Sequence, residues 1–195
     1  MTVSEARKRR HDANAEMAQR AFAEHQIEII LANDMHRHWR CAKPGTGVYE
    51  FHVITVPGRL IVTGDIGFLA VERTRDMVAW CSGAVQSIEY FAEKVPRSIK
   101  TTEYSEEVAE AWCREELADE DVSDETKAEL DDFIETVDFT NWHQFYTELH
   151  ASEELSGHVA NCDYPSFEDY NHNFLWCRQA LMWFLASLPS LTADR

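Results

Sequence analysis

The chain has 195 residues, with 35 Asp and Glu against 18 Lys and Arg, and a formal net charge of -17. A chain of that length can bury roughly 70% of its unfolded surface, so it needs no metal or disulfide staple to hold one domain. Its 45% hydrophobic fraction excludes a disordered chain. The acidic balance argues against a nucleic-acid coat and against a binder of anionic membranes, since both want positive potential.

No apolar run reaches the ~18 residues of a membrane span. The basic start at Arg7, Lys8, Arg9 and Arg10 is not followed by the apolar core of a secretory signal. The five cysteines, Cys41, Cys81, Cys113, Cys162 and Cys177, form no CxxC pair. Cys81, Cys113 and Cys177 follow Trp80, Trp112 and Trp176 in helix-like apolar patterns, and read as reduced core thiols of a cytosolic protein.

Residues 4 to 24 read as a first helix, with Ser4 as N-cap and a thin stripe of Ala6, Ala13, Met17, Ala21 and Phe22. Its arginines oppose the helix dipole, so the first turn is expected to fray. Strands follow at Gln26 to Ala32, Met35 to Ala42, Tyr49 to Val56, Arg59 to Thr63 and Phe68 to Glu72. Asn33-Asp34, Lys43 to Gly47, Pro57-Gly58 and Gly64 to Gly67 supply the turns. Such short turns imply an antiparallel meander, because parallel strands need long crossovers. Gly64-Asp65-Ile66-Gly67 lacks the spacing of a phosphate loop and reads as a hairpin turn.

From Asp76 onward the pattern is helical. Asp76 caps a helix through Met77, Trp80, Cys81, Ala84, Val85, Ile88 and Phe91, ended by Pro96. Helices follow from Ser105, Ser123 and Asn141, then a loop at Pro165 and a helix from Asn173 to Leu188 that is apolar almost all round. The expected architecture is α+β in a single domain. It has an N-terminal helix, a five-stranded antiparallel meander over 26–74, and a layer of about five helices over 76–195 with an acidic outer face.

The charge is concentrated. Residues 101–170 hold 22 acids and two bases, a segment charge of -20. Glu103, Glu106, Glu107 and Glu110 recur at helical spacing, as do Glu116, Asp119 and Glu120, with Asp121, Asp131, Asp132 and Glu135 beyond. Such spacings set carboxylates roughly 5–6 Å apart on one face. That face can occupy a Lys/Arg-lined groove in place of nucleic acid, or it can be a solvated face, as charge runs usually are. Dense like charge costs stability, which adds weight to a functional reason, although the solvated face stays the favoured alternative.

The sheet offers a second constellation. Alternation puts His36, His38 and Arg40 on one face of their strand and Arg37 on the other. His36 and His38 could bind a metal, with His52 of the next strand as a third ligand, but nothing in the pattern fixes that register. Arg37, Arg40, Arg59 and Arg73 could form an anion pocket, or could pair with Asp65, Glu72, Asp76 or the acidic helices of the same chain. Internal pairing is the favoured alternative, and no cofactor or catalytic residue is expected.

Arg37, His38 and Arg40, Tyr49 and Phe51, Pro57-Gly58, Gly64-Asp65-x-Gly67 and Arg73-x-x-Asp76-Met77 together carry a resemblance. With the Trp-rich helix from Phe174 to Leu181, this set resembles a family of small hypothetical proteins of tailed bacteriophages and prophages. The likeness spans roughly residues 26–80 and that helix, leaves out the acidic middle, and has Val56 where the family has an aromatic. It implies a phage accessory protein in the bacterial host cytoplasm and supplies no catalytic residues.

The expected function is a non-enzymatic anti-defence, anti-CRISPR-like inhibitor. Its partner would be a basic nucleic-acid-binding protein or complex of the host, with no direct nucleic acid and no membrane, and with a homodimer also open to the chain. Two other readings stand beside it. One is a nucleotide sponge or metal-dependent enzyme at His36, His38, Arg40, His52 and Asp65; the other is a minor virion or assembly protein.

Overall fold

A computed structural model of the chain describes residues 1–161 and 166–188. It has the expected α+β architecture. Helix α1 (Val3–Ala21) leads into strands β1 (Gln26–Asn33), β2 (His36–Ala42), β3 (Phe51–Val56), β4 (Arg59–Gly64) and β5 (Gly67–Glu72). These form one antiparallel sheet in the order β1-β2-β3-β4-β5. Then come α2 (Met77–Ala84), α3 (Ile88–Ala92), β6 (Thr102–Tyr104), α4 (Glu106–Ala118), α5 (Asp124–Thr136), α6 (Trp142–Leu149), α7 (Glu153–Asn161), β7 (Glu168–Tyr170) and α8 (His172–Ser187).

The chain divides into two compact units. One comprises residues 1–11 and 102–169, the other 12–101 and 170–195.

In the sheet unit, alternation sends Trp39, Val53, Val62 and Leu69 inward as one cross-strand row. That face packs on Phe22, just after α1, and on Phe174, Cys177, Leu181 and Phe184 of α8. The 64–67 segment is the hairpin turn expected of it. Gly64 sits at φ +134°, and a Cβ there would lie 2.5 Å from the Glu50 carbonyl and 2.8 Å from the Phe51 Cα. Only glycine tolerates both the backbone angle and that approach.

α8 carries one buried cation. Arg178 donates to the carbonyls of Val85 (3.0 Å) and Gln86 (3.3 Å), and burial lowers its pKa. This divides the single helix expected after Asp76 into α2 and α3. The guanidinium takes up carbonyls at the end of α2, so the chain can turn there with those acceptors satisfied. Asp76 caps α2 as expected, accepting from Val78 N (3.1 Å) and Ala79 N (3.3 Å).

The acidic unit has its own core of Val108, Trp112, Leu130, Phe133, Phe145, Leu149 and Phe167. Phe145 and Phe167 meet edge to face with centroids 5.0 Å apart. Ser105, Ser123 and Asn141 cap α4, α5 and α6 through their side chains, as their sequence positions suggest.

The start of α1 differs from expectation. Its cap is Thr2, not Ser4: Thr2 N donates to Glu5 Oε2 (2.8 Å) and Glu5 N to Thr2 Oγ1 (3.1 Å), a reciprocal capping box. Arg7 donates to the carbonyls of Ser166 and Glu168, and Arg10 binds Glu103 (2.6 Å). The arginines expected to fray the first turn are thus held by acceptors of their own unit.

Cys41, Cys81, Cys113 and Cys177 are buried free thiols, each pushed up to about 12 by burial. Cys162 and the loop expected at Pro165 lie outside the described residues. No helix among the described residues is long and apolar enough to cross a membrane.

Candidate functional site

The boundary that composition draws at residues 101 and 170 coincides with the boundary of a compact unit. Residues 1–11 and 102–169 together carry the whole formal charge of -17, while 12–101 and 170–195 balance at zero with twelve bases and twelve acids.

Within the acidic unit the eleven expected carboxylates fall into two groups. Five are engaged inside the unit. Glu103 pairs with Arg10 (2.6 Å), Glu110 with Arg114 (2.8 Å) and Glu116 with His158 (2.6 Å). Glu107 accepts from Ser105 Oγ (2.9 Å), and Asp119 from Asp121 N (2.9 Å). The other six, Glu106, Glu120, Asp121, Asp131, Asp132 and Glu135, are exposed, with no ion pair among the described residues. Three of these six lie on α5.

That helix buries Thr126, Leu130 and Phe133. At 100° per residue, Asp124, Asp131 and Glu135 fall within about 40° of one another on the opposite side, with Glu125 and Asp132 flanking them. Asp124 and Glu125, absent from the sequence-based set, complete the stripe and are both exposed. The helix start at Ser123, already readable in the sequence, fixes their angular position and was the signal that could have found them. Asp124 to Glu135 spans about 16 Å at 1.5 Å per residue. The last turns of α4 and α5 carry no basic residue. The acids there stand at the negative end of the helix dipole, where a carboxylate is unfavourable.

The sheet gives a different picture. β3 pairs with β2 so that His52 lies opposite Arg40 and Ile54 opposite His38. His38 Nε2 and His52 Nδ1 lie 2.9 Å apart, and His52 Nε2 lies 3.5 Å from Glu50 Oε1. Arg40 grips Glu50 with two bonds (2.9 and 2.5 Å) and reaches Glu28 (3.2 Å). The result is a continuous polar chain across the open face. Burial, then the neighbouring His52, lowers the His38 pKa, and the Arg40 hydrogen bond lowers that of Glu50. A bond between two imidazoles needs one acceptor nitrogen, so the pair holds one positive charge at most while it persists.

His36 stands apart at the strand start, opposite Asn33. Among the described residues no group of three His, Cys, Asp or Glu is placed to hold a metal.

The four arginines do not converge. Arg37 lies on the packed face and binds Asp76 (3.4 Å), Arg40 lies on the open face, Arg59 pairs with Glu72, and exposed Arg73 lies in the link after β5. The hollow beside Arg40, lined also by Glu28, Lys43 and Gly45, contains cations already in ion pairs, with Lys43 bound to Glu24 (2.7 Å). Asp65 is structural. Its carboxylate accepts from Tyr49 N (2.8 Å) and fixes a residue held at φ +57°.

Of the two candidate surfaces, the acidic one presents charges that the fold does not satisfy, and the sheet face presents arginines largely neutralised within the chain. No protein-family model, no curated protein and no solved structure matches this chain.

Proposed function

We propose that the acidic unit is a docking surface that takes the place of nucleic acid on a basic nucleic-acid-handling protein or complex of a bacterial host. The chain then acts as a phage accessory inhibitor in the host cytoplasm. The phage setting rests on the resemblance of the sheet residues and the Trp-rich helix. The supporting observation is the acidic stripe of α5: Asp124, Asp131, Asp132 and Glu135 are exposed and have no ion pair among the described residues, and Glu135 stands in the last turn, where a carboxylate is unfavourable. A solvated face needs polar residues, but it does not need a single sign of charge at the wrong end of a helix.

Binding of this kind is steered by long-range attraction and falls steeply with salt. The test replaces Asp124, Asp131, Asp132 and Glu135 by their amides, which keeps shape and removes charge. The amide variant should fold normally and lose its partner. Equal partner binding by the amide variant and the parent chain would overturn the proposal.

A further inference from the structure

The sheet has two edges, and only one is closed. At β5 the side-chain amide of Asn173 donates to the Phe68 carbonyl (2.8 Å) and accepts from Phe68 N (3.0 Å), as a neighbouring strand would. Glu72 N also donates to the Lys94 carbonyl (3.0 Å). At the other edge, the backbone of β1 bonds to β2 alone among the described residues.

β1 is also apolar. Ile29, Ile30 and Leu31 are 56%, 49% and 49% exposed. Edge strands are normally blunted by Lys, Pro, inward charge or bulges. Residues 26–33 contain no Lys or Pro, and their one charge, Glu28, is held by Arg40. A bulge between Ile29 and Leu31 is the one device present, and it leaves Ile30 with no residue opposite it on β2.

We infer that β1 pairs antiparallel with β1 of a second copy of this chain, about a two-fold axis at Ile30. That register sets Ile29 opposite Leu31 twice and Glu28 opposite Ala32, so the aliphatic residues meet and no two carboxylates face each other. The unit that carries β1 has zero formal charge, so it neither repels a second copy nor attracts a strand from a charged partner. One eight-residue strand per copy buries less than the roughly 1,200 Å² of a standard interface. The dimer is therefore weak, with dissociation in the micromolar range, and the acidic units weaken it further at low salt.

The test is the mass of the full chain by sedimentation equilibrium in 0.5 M salt, at concentrations from about 1 to 200 μM, a range chosen to bracket that weak affinity. The parent chain should rise from 22.5 kDa toward twice that value. Ile30→Lys should stay monomeric with unchanged circular dichroism and melting, and the milder Ile30→Thr covers any loss of fold. Register is tested by oxidation in a Cys162→Ser background, where the described native thiols are buried. Ile30→Cys should form a disulfide-linked dimer. Glu28→Cys should not, because its Cα would lie about 14 Å from its copy, twice the reach of a disulfide. A parent chain monomeric throughout, a dimer untouched by Ile30→Lys, or equal cross-linking by both cysteines would overturn the inference.

Discussion

Glu135→Lys should stabilise the protein while weakening partner binding. Glu135 is exposed in the last turn of α5, with no ion pair among the described residues, one turn beyond Asp131. A like-charge pair at i,i+4 costs about 0.2–0.5 kcal/mol, and Asp followed by Lys at that spacing gains about as much. Removing a carboxylate from the negative end of the dipole and placing an ammonium there contribute about 0.3–1 kcal/mol each. The sum is roughly 1–3 kcal/mol, or a melting shift of about 2–12 °C for a chain of this size. Thermal and urea unfolding at low ionic strength measure it. Glu135→Gln should show part of the gain, and 1 M NaCl should erase most of it. Unchanged or reduced stability at low salt would refute the reasoning that these acids are held against the interest of the fold.

Other outcomes follow from the same structure. Gly58→Ala should cost about 1–2 kcal/mol, because its φ of +86° is strained but nothing lies within 4 Å. Gly64→Ala should cost more, because backbone atoms stand in the way; equal stabilities measured by urea unfolding would contradict this. A thiol reagent at pH 8 should find at most one reactive cysteine in the native protein and five after denaturation, and a rapid native reaction of four would count against the buried assignments. His38 should titrate below 6.5 by NMR. With its folded pKa depressed, the unfolded chain takes up the proton first, so stability is lost as pH falls below 6.5. His38→Asn should flatten that decline, and a titration midpoint above 6.5 would contradict the cause given.

The meander was legible because its turns carry their own chemistry. Pro57-Gly58 and Gly64 to Gly67 place the chain reversals, and alternation then assigns Phe51, Val53 and Thr55 to the packed face, where they are buried. Tyr49 breaks that alternation because Asp65 holds it at a positive φ outside the strand. Features decided by distant partners were not legible. The break between α2 and α3 depends on Arg178, and β6 and β7 are too short to show a period. Helix α7 has few apolar residues, with Leu155 and Val159 buried. The helical region therefore holds two more helices than the five expected. At the acidic surface, the unit and its sign were evident from composition. Which carboxylates are free was not, because Arg10 and His158, which engage Glu103 and Glu116, come from elsewhere in the chain.

The most direct measurement is capture of host proteins on the full chain, followed by elution with a short duplex or single-stranded nucleic acid, compared between the parent chain and the Asp124, Asp131, Asp132 and Glu135 amide variant. The expected result is a nucleic-acid-binding partner that is retained by the parent, displaced by nucleic acid and by salt, and absent from the variant. The same partner held equally by both chains, or unmoved by nucleic acid, would contradict it.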